Sequence, residues 1–130
     1  MAVYFDSSAL VKLAIDERES QALREYVRQH PRRVSSVLIR VELTRAIRRH
    51  QPEALPLAGR ILQDVRLLDI DDTLLARAAT VDPPEVRSLD AIHIAAALTL
   101  EDELDAFVTY DRRMAEAAQA AGLRVEAPAP

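Results

Sequence analysis

Four acidic side chains stand at points where the sequence pattern alone gives them no evident partner. Asp6 and Asp111 each follow a short apolar run and precede a helical pattern. Glu42 shares the apolar face of a helical segment, and Asp90 opens an almost wholly apolar one. If folding gathers these carboxylates, their repulsion must be offset by protons or by a cation. Carboxylate oxygens are ligands that Mg²⁺ prefers, and bound Mg²⁺ can activate water against a phosphodiester bond.

The two acids that follow strand-like runs also have a structural interpretation. Asp6 could cap the helix that begins near Ser8, but Ser7 or Ser8 could do so instead, which leaves Asp6 only partly explained. Asp111 could in the same way cap the helix that follows it. Taken singly, each residue is ambiguous between a cap and a site.

The two acids within helical segments have structural interpretations as well. Asp90 could interact with the helix dipole in the first turn, after an N-cap at Ser88. Glu42 needs a partner because burying an unpaired carboxylate is costly, and Arg45 is within reach on the same helix. We expect His93, one turn beyond Asp90, to be a hydrogen-bonded core histidine rather than a metal ligand.

Short apolar runs alternate with helical patterns along the chain. The predicted strands are Val3–Phe5, Arg33–Ser35, Val65–Leu68, Phe107–Thr109 and Leu123–Val125. The predicted helices are Ser8–Ala14, Ser20–Gln29, Val37–His50, Glu53–Gln63, Thr73–Thr80, Leu89–Leu100 and Arg112–Ala120, the last ending at Gly122. The alternation predicts one α/β domain over residues 1–130, with three α/β/α layers and a mostly parallel sheet of about five strands. Such sheets bind ligands beyond the carboxyl ends of their strands.

Composition narrows the chemistry further. The chain has no cysteine, which excludes thiol nucleophiles, disulfides and cysteine-bound zinc. No signal-peptide pattern opens it and no apolar run is long enough for a bilayer, so we expect a cytoplasmic protein with no membrane partner. The net charge is −4, but arginines cluster locally and could contact phosphates or form a solvated helix face. The clusters are Arg32–Arg33, Arg40 to His50 and Arg112–Arg113.

Four segments, in order along the chain, resemble the PIN-domain ribonucleases and, within them, the VapC toxins of bacterial toxin–antitoxin pairs. VYFDSSALVKL is similar to the family's opening strand with its first acid, and SSVLIRVELTRAIRR to the helix that carries the Glu. RSLDAIHIAAAL resembles the buried Asp-Ala-x-His-x-Ala-Ala helix, and FVTYDRRM the last strand and acid. The resemblance covers essentially the whole chain.

The resemblance implies a metal-dependent endoribonuclease that uses Mg²⁺, with Mn²⁺ as a substitute. It implies a homodimer and a cognate VapB-type antitoxin that occludes the acidic site. Carried onto this sequence, Asp6 and Asp90 are expected to bind the metal directly. Glu42 and Asp111 are expected to complete the catalytic site, directly or through water.

Further residues follow from the same resemblance and from the charge pattern. Ser7 and Thr109 are expected to support the metal ligands by hydrogen bonds. Arginines around the site are expected to hold RNA phosphates. These are Arg45, Arg48, Arg87 and Arg112.

Other functions remain open on the sequence. A PIN-like module could keep the fold and bind RNA or protein without catalysis. Asp69–Thr73 matches an Asp-x-Asp-x-Thr phosphatase pattern, but that mechanism needs a downstream lysine, and Lys12 is the only lysine. A receiver domain that is phosphorylated on aspartate also needs a lysine late in the chain, and none is present there. We expect Asp72 to cap the helix that begins at Thr73.

Overall fold

The computed structural model describes residues 1–130 and consists of one sheet flanked by helices. The strands are β1 Ala2–Phe5, β2 Arg33–Ser36, β3 Arg66–Leu68, β4 Leu104–Val108 and β5 Val125–Glu126. The helices are α1 Ser7–Ala14, α2 Ser20–Gln29, α3 Ile39–His50, α4 Leu55–Gln63, α5 Asp72–Ala78, α6 Ser88–Leu98 and α7 Arg112–Ala120. Short 3-10 turns cover Pro52–Ala54 and Glu101–Glu103.

All five strands are parallel, in the order β3-β2-β1-β4-β5, so the predicted fold class is confirmed. The central strand β1 is buried on both faces. Val3 and Phe5 pack into a core with α1 to α4, whereas Ala2 and Tyr4 pack into a second core with α5 to α7. This alternation, which follows from the two-residue period of a strand, produces the three layers.

The strand order reverses at β1. The chain builds β2 and β3 on one side of β1 and then crosses to place β4 and β5 on the other side. In a sheet of this kind the crevice for a ligand opens beyond the carboxyl ends of the strands at the reversal. Asp6 directly follows β1, and Thr109 and Asp111 follow β4, so the topology brings these side chains to that crevice.

The element limits differ from the sequence-based prediction by small shifts. β4 begins at Leu104 rather than at Phe107, because Leu104 pairs with Ala2 at the start of β1. The predicted helix Glu53–Gln63 is a 3-10 turn followed by α4, with Pro56 in the first turn of α4. Gly122 follows α7 with φ +90°, as its glycine identity predicted. None of the helices combines the length and apolar composition needed to cross a membrane.

Candidate active site

The four acidic residues singled out in the sequence line a single pocket of about 310 Å³ at the carboxyl edge of the sheet. Asp6 comes from the junction of β1 and α1, and Glu42 from the first turn of α3. Asp90 lies in the first turn of α6, and Asp111 precedes α7. Residues distant in the sequence therefore meet because four helices begin at this edge. We call this space the acidic pocket.

Asp6 is the most enclosed member of the acidic pocket, with 2% of its surface exposed. Its Oδ1 accepts hydrogen bonds from the Ser8 hydroxyl at 2.7 Å and the Ala9 backbone N–H at 3.1 Å. Its Oδ2 accepts a hydrogen bond from the Thr109 hydroxyl at 2.5 Å. The bond from Ala9 makes Asp6 itself the N-cap of α1. Of the three caps that the sequence left open, the structure therefore uses Asp6 rather than Ser7 or Ser8.

Burial has a clear electrostatic effect on Asp6. Desolvation raises the pKa of this carboxyl above its ordinary value, although the hydrogen bonds from Thr109, Ser8 and Ala9 act in the opposite direction. The ionised form is thus destabilised by its surroundings and gains from any nearby cation. This is the electrostatic environment expected of a buried metal ligand.

Ser8, which the sequence suggested only as a possible cap, supports Asp6, whereas Ser7, the expected support, makes no side-chain hydrogen bond. The Ser8 hydroxyl donates to Asp6 and accepts the Tyr110 backbone N–H at 2.9 Å, so it joins α1 to the segment after β4. Ser7 lines the acidic pocket only. The different roles of the two serines follow from the cap at Asp6, because this cap starts α1 at Ser7, one residue earlier than predicted. The earlier start directs the Ser8 side chain, rather than that of Ser7, toward the end of the strand.

We predict that Ser8→Ala lowers stability by about 1–3 kcal/mol, because it leaves the Tyr110 N–H without its acceptor. It should also weaken divalent-metal binding by about 10-fold, since Asp6 loses an orienting donor. Urea unfolding and Mn²⁺ titration measure the two effects. Ser7→Ala is the matched control and should change neither. Equal effects of the two substitutions would contradict this assignment of Ser8.

Thr109 connects two of the acids. It donates to Asp6, and its hydroxyl oxygen accepts the Asp111 backbone N–H at 3.1 Å. Asp111 in turn caps α7, accepting through Oδ1 from the backbone N–H groups of Arg113 and Met114 at 2.9 and 3.3 Å. One oxygen of Asp111 is thereby committed to the helix, which leaves its Oδ2 directed to other partners.

Glu42 is held by a buried hydrogen-bond chain rather than by Arg45, which forms no ion pair. Its Oε1 lies 2.5 Å from Nε2 of His93, and Nδ1 of His93 lies 2.7 Å from the Tyr4 hydroxyl. Burial raises the pKa of Tyr4, so its hydroxyl keeps its proton and can donate to Nδ1. Nε2–H then donates to Glu42. These hydrogen bonds link β1, α6 and α3, and of the partners open to Glu42 the structure selects His93 rather than Arg45.

Asp90 and Asp111 share one cation, the guanidinium of Arg87. Arg87 Nε lies 3.1 Å from Asp90 Oδ2, and Arg87 Nη2 lies 3.3 Å from Asp111 Oδ2. Arg87 occupies the N-cap position of α6, but its side chain does not cap the helix. The predicted cap, Ser88, is instead the first residue of α6, since the extended backbone that defines a cap falls at Arg87.

The donor set of the acidic pocket suits a hard divalent cation. Four carboxylates line the pocket, and there is no cysteine in the chain. Both nitrogens of His93 are engaged, so no imidazole is free to bind a softer metal. As the side chains are placed, however, no three of them are arranged to enclose a metal ion. Glu42 is turned to His93, and Arg87 spans Asp90 and Asp111, so these groups would have to exchange partners.

The arginines proposed for RNA contact fall into three places. Arg45, Arg48 and Arg49 line a separate pocket of about 250 Å³ on α3. Arg48 follows Glu42 by about 9 Å along the helix axis, at the usual rise per residue. Arg87 lies in the acidic pocket, and Arg112 is exposed at the start of α7.

The Asp-x-Asp-x-Thr segment lies outside the acidic pocket. Asp71 is the N-cap of α5 and accepts the Leu74 backbone N–H at 2.8 Å, whereas Asp72 is already inside the helix. The prediction that Asp72 caps this helix is therefore off by one residue. Asp71 therefore has a structural explanation as a helix cap, and the segment contributes no residue to the acidic pocket.

The parallel sheet flanked by helices is the fold that the resemblance implied, and comparison with known proteins identifies the same family. Residues 3–120 match the model of the PIN domain, and the chain belongs to the PIN-domain family. It is similar to ribonuclease VapC46 of Mycobacterium tuberculosis, with 46% identity over 127 residues, 98% of this chain and 98% of that protein. It is 45% identical to ribonuclease VapC35 of the same species over 130 residues, 97% of this chain and 96% of that protein.

The fold has a counterpart among solved structures. The crystal structure of VapC20 from Mycobacterium tuberculosis, described as a toxin that cleaves the sarcin-ricin loop, superposes with a TM-score of 0.74. The match covers 97% of this chain and 99% of that one at 18% sequence identity. At that identity the likeness shows the fold alone. The resemblance stated from the sequence segments is confirmed by the family match.

Proposed function

We propose that the chain is a VapC-type toxin, an endoribonuclease that cleaves RNA phosphodiesters with Mg²⁺ or Mn²⁺ at the acidic pocket. The observation that carries the proposal is the convergence of Asp6, Glu42, Asp90 and Asp111 on one pocket, where carboxylates are the only charged metal ligands. PIN-domain ribonucleases in general use divalent metals, and similarity to VapC ribonucleases over nearly the full chain supports the activity.

In this proposal, neighbouring side chains and backbone groups of the protein itself orient the acids of the pocket. Asp6 is held rigidly by its three donors, and Glu42 is oriented by His93. Asp90 and Asp111 present one oxygen each toward Arg87 at the pocket mouth. A divalent cation bound among these groups would supply charge stabilisation of the phosphoryl oxygens and an activated water.

Metal removal tests the proposal directly. Purified protein treated with EDTA should leave mixed structured RNA intact, and millimolar Mg²⁺ or Mn²⁺ should restore endonucleolytic cleavage. Metal should also raise the melting temperature, because an ion that binds only the folded chain stabilises it. Cleavage that persists unchanged in EDTA would exclude the metal mechanism.

A second candidate is a PIN-like module that binds RNA or protein without cleaving. The observation in its favour is that no three side chains enclose a metal site as placed. The same experiment separates the two functions. RNA binding without cleavage at any metal concentration would favour the inactive module over the nuclease.

We propose that the arginines of α3 hold RNA phosphates that flank the cleavage site. Arg48→Ala should weaken RNA binding and reduce the slope of log affinity against log salt by about 0.7, the value for one phosphate contact on a single strand. Binding measured at several salt concentrations gives the slope. Arg77→Ala removes an arginine that is also exposed, from α5, and serves as control. Identical slopes for both variants would remove Arg48 from the RNA interface.

We further propose that the chain forms a homodimer and pairs with a VapB-type antitoxin that occludes the acidic pocket. Similarity to VapC proteins supports both assignments. Co-purification with the product of an adjacent short reading frame, and loss of that complex's nuclease activity, would test the pairing.

A further inference from the structure

Arg87 contacts both acids at the mouth of the pocket, and this contact bears on how the proposed metal site is filled. We infer that Arg87 competes with the divalent cation for Asp90 and Asp111. Its guanidinium and the metal are alternative partners of Asp90 and Asp111, and metal binds by displacing it. The inference rests on the proposed function and adds a determinant of metal affinity within the chain.

The geometry of the ion pairs supports competition. Arg87 uses two nitrogens of one planar group, Nε toward Asp90 and Nη2 toward Asp111, at 3.1 and 3.3 Å. The accepting atoms are the Oδ2 oxygens of Asp90 in α6 and of Asp111, which precedes α7. A metal ligated by both acids would need the oxygens that now face the guanidinium. Two cations that share these oxygens would also repel each other at short range.

Arg87 can leave this position without breaking any contact other than its two ion pairs. Its side chain is 63% exposed, and it makes no other hydrogen bond or ion pair. Exposed ion pairs are individually weak because water solvates both partners. A second pocket, of about 260 Å³, lies along Arg87 and Asp90 and is lined also by Glu85 and Glu116. A displaced guanidinium would therefore meet other carboxylates without leaving the surface.

The consequence is a negative coupling between the guanidinium and the metal. Removing the guanidinium should raise metal affinity, whereas removing any residue that orients the acids should lower it. The sign of the change therefore distinguishes a competitor from a supporting residue. Couplings between two ligands of one protein commonly amount to a factor of about 5 or more.

Mn²⁺ titration followed by electron paramagnetic resonance of the free ion provides the test without reference to activity. Arg87→Gln should lower the Mn²⁺ dissociation constant by at least about 5-fold relative to the parent. Arg113→Gln is the matched control, because the Arg113 side chain lines the neighbouring pocket and forms no ion pair with either acid, while its backbone bond to Asp111 is kept in the variant. It should change the dissociation constant by less than about 2-fold at physiological salt, where exposed charges are screened.

The arginine side chain can also be observed directly. In ¹⁵N-labelled protein, the Nε–H signal of Arg87 is identified by its absence from Arg87→Gln. Titration with Mg²⁺ should shift or broaden this signal at the same concentrations that shift the backbone amide of Asp90. An Arg87 signal that stays fixed while Asp90 responds would overturn the inference.

The outcomes also separate this inference from the proposed function. Mn²⁺ binding that is lost in Asp6→Asn but unchanged in Arg87→Gln would retain the metal site and reject the competitor. Weaker binding in Arg87→Gln would likewise reject it and make Arg87 a supporting residue. No Mn²⁺ binding by the parent or any variant would remove the metal site, and the competitor with it.

Discussion

Asp6→Asn is expected to lower RNA cleavage by at least about 10²-fold, the loss typical of removing one preorganised charge at a reaction centre. The metal-free protein should remain folded with a melting temperature close to that of the parent, although the amide nitrogen that replaces one carboxylate oxygen cannot accept the Thr109 hydroxyl. Asparagine caps a helix as well as aspartate does, so the bond from Ala9 can persist. The substitution also removes a charge that burial disfavours. Cleavage assays and thermal unfolding measure the two effects.

Asp71→Asn provides the matched control for this substitution. Asp71 is also an N-cap, with the Leu74 N–H at 2.8 Å, but it lies on α5 outside the acidic pocket. The control should cleave RNA like the parent. Metal should raise the melting temperature of Asp71→Asn but not that of Asp6→Asn. An Asp6→Asn protein that cleaves at the parental rate would remove Asp6 from the catalytic site.

Asp90→Asn is expected to abolish the growth arrest caused by induced expression of the chain. Asp90 lines the acidic pocket and is exposed over only 16% of its side chain. The neutral amide keeps the shape but is a poor metal ligand, so turnover should fall by about 10²-fold or more. The change at the start of α6 costs about 0.3–1 kcal/mol of helix-dipole interaction, which a folded domain tolerates. Growth after induction is the measurement.

Asp72→Asn tests whether loss of charge at a helix start is sufficient. Asp72 lies in the first turn of α5, is exposed and is not in the acidic pocket. At equal protein levels, confirmed by immunoblot, Asp72→Asn should arrest growth like the parent. Equal toxicity of Asp90→Asn and the parent would make the assignment of Asp90 to catalysis untenable.

The layout of the fold was predictable because it depends on short-range patterns. Apolar runs of strand length, separated by helical periodicity and by proline or glycine, gave all five strands and all seven helices to within a few residues. The edge of the sheet where the acids meet followed from parallel topology alone. What remained open was the first turn of each helix, where Asp6, Ser7 and Ser8 are all acceptable caps by composition.

The partners of the acids were less predictable because they come from distant segments. Periodicity placed Glu42 on a buried face, but the choice of His93 over Arg45 depends on how α6 packs beside α3. Likewise, nothing near Arg87 in the sequence indicates that its side chain, at the start of α6, reaches Asp111 at the start of α7. The one local signal that could have helped is the position of Asp6 directly after β1. A residue there continues the extended backbone of the strand, and an N-cap has the same backbone. Taking Asp6 as the cap fixes the start of α1 and directs attention to Ser8.

Asp6 and Asp111 are helix caps as well as members of the acidic pocket, and the two roles have different requirements. A cap needs only an oxygen that accepts a hydrogen bond, whereas a divalent cation needs negative charge. An aspartate codon becomes an asparagine codon by a single base transition. Cells selected to survive this chain are therefore expected to carry intact, folded copies with an amide at one of these positions. Under the proposed function, such copies would still bind the proposed antitoxin but would no longer cleave RNA.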